Sequence, residues 1–334
     1  MTRSNQTTEA TSDSIREPMP MESSGPCWIC GGTGFDRVWV SSFDLTPLLR
    51  FGPALAHADH PALTLVRCRN CGFGQPETVP AKADYFETLY DIPYSEDDMN
   101  SMFAETAKTW ISQTVLDGVA KRLPANMPRT LLDVGCHVGQ FLSFAHRAGW
   151  QTEGAELGKR TGDFAARRTG LTVHRGPAQD MIDQGNRYAA VTITDVLEHI
   201  PHPAPLVRQL RELLLPGGVL AVKVPHGPMQ RFKERIRRDL LRDHDAGQVM
   251  TRLVHINHFT VRSLRYVLEA AGFQNVVITV GVPEIFPVSP QRSPAKSWIS
   301  GLGRKAVYYT AKVLPGGVHT PLALNLQAYA VNPS

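Results

Sequence analysis

From Pro128 onward, short apolar runs alternate with segments whose apolar residues recur every three to four positions, and this alternation constrains the fold more than any other feature of the chain. Runs of strand length, each followed by an amphipathic stretch, describe successive βαβ crossovers. Such crossovers build a mostly parallel sheet with helices on both faces. The pattern predicts strands over Thr130–Val134, Gln151–Glu156, Leu171–His174, Tyr188–Thr194, Val219–Val224, Phe273–Val280 and Leu322–Val331. Between the fourth and fifth, Leu206, Val207, Leu210, Leu213 and Leu214 share a helix face that ends at Pro216-Gly217-Gly218. Thr260 is placed to cap a later helix that carries Leu264, Val267, Leu268 and Ala271 and stops at Gly272.

The rest of the chain is organised differently. Residues 1–25 are polar and read as a disordered tail, because they cannot bury enough apolar surface to offset the entropy of ordering. Residues 26–80 hold two Cys-x-x-Cys pairs and short extended pieces, a small unit without a core of its own. Residues 81–125 turn helical and tyrosine-rich (Tyr85, Tyr90, Tyr94), a connector able to shelter an active site. Residues 126–334 form the large domain, with insertions at 225–258, where a lid would sit, and at 283–321. The second insertion suits packing onto its own domain, with a membrane surface or a second subunit of a homo-oligomer as rival partners. A net charge of +4 over 334 residues is too slight to mark the whole protein as a nucleic-acid or membrane binder. No run of about 18 apolar residues is present, and the first residues lack a basic-then-apolar leader, so the expected location is the cytoplasm.

Chemistry concentrates first at Leu131–Leu142, where a strand, a glycine turn and a helix start follow in that order. Gly135 allows close backbone approach, and the helix N-terminus after Gly139 offers free N–H groups. Glu156 lies 23 residues beyond Asp133, at the end of the next strand, where a carboxylate can accept bonds from ribose hydroxyls. Turn and acid together describe a nucleoside pocket. Only two glycines are present where a dinucleotide turn has three, which weakens a pyrophosphate reading.

These residues resemble a known family. Asp133-Val134-Gly135-Cys136-x-x-Gly139 looks like motif I of class I S-adenosylmethionine-dependent methyltransferases, and Glu156 matches their second-strand acid. Asp195-Val196-Leu197-Glu198-His199-Ile200, Leu213-Leu214-Leu215-Pro216-Gly217-Gly218 and His258-Phe259-Thr260 with Ala271-Gly272-Phe273 resemble the family's later segments in order. The resemblance implies a Rossmann-like α/β fold with a mostly parallel seven-stranded sheet. It also implies a S-adenosyl-L-methionine site at Asp133, Gly135, Cys136, His137, Gly139, Glu156 and Asp195, with Gln179 or Asp180 facing the adenine. His137 stands where the family usually has glycine, and Ala189 where it often has an acid. A non-catalytic remnant that binds cofactor and partners is therefore kept as an alternative.

Methyl transfer from a sulfonium needs an aligned acceptor, exclusion of water and removal of a proton. Asp195, Glu198 and His199 follow the carboxyl end of the fourth strand, where open α/β sheets bind ligands. His199 is the candidate base, with Glu198 orienting it or helping to hold a metal; the rival reading is a Glu-His pair that caps a helix. No Asn-Pro-Pro-Tyr tetrad follows that strand, so a small-molecule oxygen or carbon (sugar, polysaccharide precursor, quinone or natural product) is preferred as acceptor over a DNA base.

Cys27-Trp28-Ile29-Cys30-Gly31 and Cys68-Arg69-Asn70-Cys71-Gly72 are two knuckles, each able to present two thiolates to one tetrahedral ion. Structural Zn2+ on Cys27, Cys30, Cys68 and Cys71, in a small N-terminal zinc ribbon, is preferred over redox chemistry, which needs only one dithiol. His57 and His60 are rival ligands. Zinc-bearing methyltransferases of this class also resemble enzymes that act on ribosomal RNA, and residues 231–242 carry six basic and two acidic side chains. Glu234 and Asp239 interrupt that run and no aromatic stacking set accompanies it, which favours a solvated helix face over nucleic acid.

Overall fold

A computed structural model describes residues 20–41, 63–81, 93–104, 108–240, 242, 255–284 and 294–333, with backbone alone for 41, 63 and 294–300. His57, His60, Tyr85, Tyr90, the tail through residue 19, and 243–254 and 285–293 of the two insertions lie outside the described residues.

Met21–Ser23 (β1) opens the described chain and pairs antiparallel with Thr78–Pro80 (β5). The tail expected over 1–25 is thus structured at its end, because two strands with free edges satisfy each other's backbone groups. Between them, Phe35–Ser41 (β2), Leu63–Cys68 (β3) and Gly74–Pro76 (β4) form an antiparallel three-stranded sheet in the order β2-β3-β4. The first cysteine pair precedes β2, and the second makes the turn between β3 and β4.

Two helices follow, Glu96–Ala104 (α1) and Thr109–Ala120 (α2). The large sheet then begins. Its elements in chain order are Thr130–Val134 (β6), Gln140–Arg147 (α3), Gln151–Ala155 (β7), Lys159–Thr169 (α4), Val173–His174 (β8), Ala178–Asp183 (α5), Tyr188–Thr194 (β9), Pro203–Glu212 (α6) and Leu214–Pro225 (β10). Gly227–Arg235 (α7), Val261–Ala270 (α8), Gln274–Gly281 (β11), Pro294–Val313 (α9) and Asn325–Val331 (β12) complete it. The seven strands lie in the order β11-β12-β10-β9-β6-β7-β8. Only β12 runs against its neighbours, since it pairs antiparallel with both β10 and β11, while β6, β7, β8, β9 and β10 pair in parallel. The chain order reverses direction between β6 and β9, so the crevice at their carboxyl ends is a topological switch point.

The central strands read as unbroken apolar runs because both faces are covered: Tyr188 through Ile193 are all buried. One face packs against α6 and α8 through Leu132, Val191, Leu220, Val207, Leu264 and Leu268. The other packs against α2 and α9 through Leu131, Ala190, Ala221, Val115, Val119, Tyr308 and Ala311. The second half of the expected connector is therefore core of the large domain. Thr260 accepts from Ser263 N–H and the Ser263 hydroxyl reaches back to Thr260 N–H, so the predicted cap is a full capping box.

Within the cysteine unit only Trp39 and Leu65, with Val38 against them, form a small apolar cluster of their own among the described residues. Cys27, Trp28, Ile29, Cys68, Cys71 and Phe73 join the apolar cluster of the large domain. Phe73 meets Phe259 edge to face at 5.1 Å, and Gly74 bridges His258 with reciprocal backbone bonds of 3.0 and 2.9 Å.

Candidate active site

The turn after β6 is built on left-handed backbone at Gly135, His137 and Gly139. A β-carbon at Gly135 would strike Val196 of the neighbouring strand end, so glycine is required there by packing as well as by dihedral angle. His137 adopts φ 51° without that freedom. Its N–H donates to Glu156 Oε2 at 2.8 Å, while Gly158 N–H and the Thr161 hydroxyl donate to Oε1 at 2.9 and 3.2 Å. Glu156 thus clips the glycine turn to the end of β7, and Oε2 keeps a lone pair for a further donor.

The His137 ring packs edge to face on Tyr94 at 5.5 Å, and burial pushes its pKa down. Helix α1 roofs the turn through Met99, Val138 and Phe164, and Gln140 donates to the Met102 and Phe103 carbonyls. Lys108, just before α2, pairs with Glu284 at 3.4 Å, and its charge reaches Asp133 and Asp195. Sequence reasoning missed Lys108 and Glu284, which lie far apart in the chain and follow no motif.

Asp133 is buried and accepts from Thr192 Oγ1 at 2.8 Å; burial pushes its carboxyl up to about 7. Cys136 is buried too, with Sγ against Gly154, and burial pushes its thiol up, the environment of an unreactive cysteine. Gln179 is exposed, bonded to Asp183 at 2.8 Å and reached by Gln209. Asp180 turns its carboxylate back over Gly176 and is the one of the two that lies at the turn after β8.

Beyond β9 the chain turns through Asp195 at φ 56°. Lys223 holds Asp195 with bonds of 2.5 and 2.7 Å. Burial raises the Asp195 carboxyl, but the lysine outweighs it and holds the group below the ordinary range. Glu198 and His199 stand in a turn before α6 rather than in the first turn of a helix, since that helix starts only at Pro203. Asn257 braces this turn from across the domain: its amide donates to Leu197 and Ile200 carbonyls at 2.7 Å each, and its N–H to the Glu198 carbonyl at 3.0 Å.

Glu198 is 1% exposed, and neither carboxylate oxygen has a hydrogen-bond donor. Burial, then the nearby Asp195, pushes its pKa well above the ordinary range. The His199 ring is 20% exposed, 4.0 Å from Glu198, and meets His255 at 4.9 Å between centroids. Burial pushes His255 down to about 3. His258 is wholly buried under the cysteine unit.

Cys27 and Cys71 sulfurs lie 3.5 Å apart, Cys30 and Cys68 sulfurs 3.6 Å, and all four fall within 4.8 Å with no disulfide among them. Gly31 and Gly72, both at positive φ, close the knuckles by donating to Cys27 and Cys68 carbonyls at 2.9 Å. A tetrahedral thiolate site fits this set. The basic stretch after Arg231 is largely engaged. Glu234 is buried between Arg237 and Lys233, Arg238 pairs with Asp239 and covers the Trp39 ring, and Arg235 reaches the Val38 carbonyl. Among the described residues no helix is long and apolar enough to cross a membrane.

A family model described as a methyltransferase domain matches residues 107–278, half of the chain, and begins within the expected connector. The chain is 31% identical over 111 residues to a ubiquinone biosynthesis O-methyltransferase of Proteus mirabilis, covering 31% of this chain and 44% of that protein. It is 34% identical over 118 residues to the protein of the same name from Leptothrix cholodnii, covering 33% and 46%. The chain thus spans about half the length of the curated relatives it matches. A solved phosphoethanolamine N-methyltransferase 2 of Haemonchus contortus is similar at 14% identity, with a TM-score of 0.49 over 90% of this chain and 69% of that one.

Proposed function

The chain belongs to the methyltransferase domain family, and on that premise we propose that it is an S-adenosylmethionine-dependent methyltransferase acting on a hydroxyl of a small molecule. The observation that carries the proposal is the meeting of two elements at the switch point. One is the glycine turn clipped by Glu156; the other is the partly exposed His199, at the carboxyl end of the adjacent strand β9. The relatives named above, whose names state O-methylation, favour oxygen over carbon as acceptor.

The residues fit the cofactor. The Gly135–Gly139 turn and the free N-terminus of α3 would hold its amino-acid end, with Asp195 nearby, and the spare lone pair of Glu156 a ribose hydroxyl. When bound, S-adenosylmethionine supplies a methyl group already activated by its sulfonium. The chain's own work is alignment and deprotonation: α1 and Tyr94 exclude water, and His199 takes the acceptor's proton while Asn257 keeps its turn in place. Cys27, Cys30, Cys68 and Cys71 would hold structural zinc, which supplies a crosslink and no chemistry to the reaction. RNA as acceptor is disfavoured because Glu234 and Asp239 already engage the basic stretch.

Calorimetric titration with S-adenosylhomocysteine tests the cofactor half. Glu156→Gln keeps the shape but removes the charge, and a loss of about 1–3 kcal/mol in binding is expected; equal affinity would sink the assignment. Turnover of a panel of small hydroxyl acceptors tests the other half. His199→Ala should lower it at least tenfold with homocysteine-product affinity unchanged, and unaltered turnover would remove His199 from the mechanism.

A further inference from the structure

We infer that α9 presents a docking seam for an acidic amphipathic helix of a partner protein. The faces of α9 differ sharply. Tyr308 and Ala311 are buried in the core shared with α2, while Leu302, Ala306, Tyr309 and Val313 are exposed. Leu302, Tyr309 and Val313 keep 54%, 53% and 77% of their surface in solvent. Single exposed apolar residues are ordinary, but these stand in one row. Positions 302, 306, 309 and 313 step by four, three and four residues, the a/d repeat with which one helix seats another. The row runs down the middle of the exposed face, since Gly303 and Thr310 flank it on one side and Lys305 and Lys312 on the other, all of them exposed.

The charge of this face sets the sign of the partner. Residues 285–334 hold five basic residues, Arg292, Lys296, Arg304, Lys305 and Lys312, and no Asp or Glu, which exceeds the whole net charge of +4. Lys305 and Lys312 are seven residues apart, so both occupy the flank of the row where paired helices place their charges. No acid pairs with either among the described residues. Each ammonium lies over a ring instead, Lys305 over Trp110 at 6.0 Å and Lys312 over Tyr308 at 5.4 Å. The same rings meet Tyr309, at 6.0 Å from Trp110 and 5.1 Å from Tyr308, so the middle of the row is a braced aromatic anchor.

A partner helix with an apolar row and carboxylates along one edge satisfies both features. It covers Leu302, Tyr309 and Val313 and brings its acids to the two lysines. On the other flank a β-carbon at Gly303 would meet nothing within 4 Å among the described residues, which leaves room for a partner's backbone. A second copy of the chain fits poorly, since its own seam sets lysines against lysines in one orientation and against Gly303 and Thr310 in the other. An anionic bilayer also fits less well, because it meets both flanks of a surface helix alike and here one flank carries no charge.

The test titrates the full chain into two fluorescent synthetic peptides of about three heptads, with Leu along the seam and either Glu or Lys on both flanks. Anisotropy should show the Glu peptide binding roughly tenfold or more tightly than the Lys peptide, a difference that shrinks as salt is raised. Lys305→Glu combined with Lys312→Glu should reverse the preference, and Val313→Asp should weaken the Glu peptide by roughly tenfold. These positions are exposed, and circular dichroism with an unchanged melting temperature reports that the variants fold. Equal binding of the two peptides, or none, would overturn the seam. So would a dimer in sedimentation that the same substitutions break, which gives the face to a second copy. Flotation of the chain with phosphatidylglycerol–phosphatidylcholine vesicles, abolished by those substitutions while the Glu peptide stays unbound, would overturn it in favour of a membrane.

Discussion

At the scale of single residues, the site is a set of polar groups whose cost of burial is offset to different degrees. Asp195 is answered by Lys223, Glu156 by three donors, and Asp133 by Thr192 alone. The consequence for Asp133 is a carboxyl pushed up to about 7. In the ligand-free protein the folded state therefore keeps a proton that the unfolded chain releases near pH ~4. The stability this provides is complete below pH ~4 and is lost as pH rises through about 7. Asp133→Asn cannot ionise, so its stability relative to wild type should rise between pH 5 and pH 8, by about 2–3 kcal/mol. Urea unfolding at the two pH values measures this, and a constant difference would show that Asp133 is ionised in the fold.

At the scale of elements, helix α2 docks on the sheet through a gap that only glycine allows. A β-carbon at Gly118 would collide with the Tyr329 ring, whose hydroxyl donates to the Thr114 carbonyl at 3.0 Å beneath the Arg122 guanidinium. Gly118→Ala should cost about 1–3 kcal/mol, the usual penalty of overpacking. Combining it with Tyr329→Leu should recover part of that loss, which a double-mutant cycle of unfolding free energies reads directly; strictly additive losses would place the strain elsewhere. Element-level patterns were also the best read from sequence. Thr130–Val134 and Tyr188–Thr194 have the predicted bounds because buried parallel strands are continuous apolar runs. Leu171–His174 shrinks to Val173–His174 because it is an edge strand with a single partner, β7. The rival reading of Glu198 and His199 as a helix cap does not hold, since Pro203 sets the helix start and the pair stands in the turn before it.

At the scale of the whole molecule, the cysteine unit braces the segment that carries His255 and Asn257. Its bridge from Gly74 to His258 and its Phe73–Phe259 contact join the two parts in one core. Stripping metal from the four thiols should therefore lower the melting temperature and lower turnover. It should also speed amide exchange at Gly74 and His258, which donate across that bridge. Exchange that stays slow at both amides after metal removal would show the knuckles to be independent of the site.

The sequence by itself determined the architecture and the ingredients. Strand and helix periods, the glycine turn, the acid after β7 and the paired knuckles are all local patterns, governed by backbone sterics and apolar spacing over a few residues. Which of those ingredients meet was decided by the tertiary structure alone. Glu156 reaches back to the His137 amide, Asn257 grips a turn some 60 residues earlier, and His255 comes to lie on His199. Contacts of that kind depend on how the sheet twists and what packs across its edge, and no period in the chain records them. Burial follows the same rule: Glu198, the buried carboxylate without a donor among the described residues, looks in sequence like any exposed acid beside a histidine, and only the closed fold removes it from water.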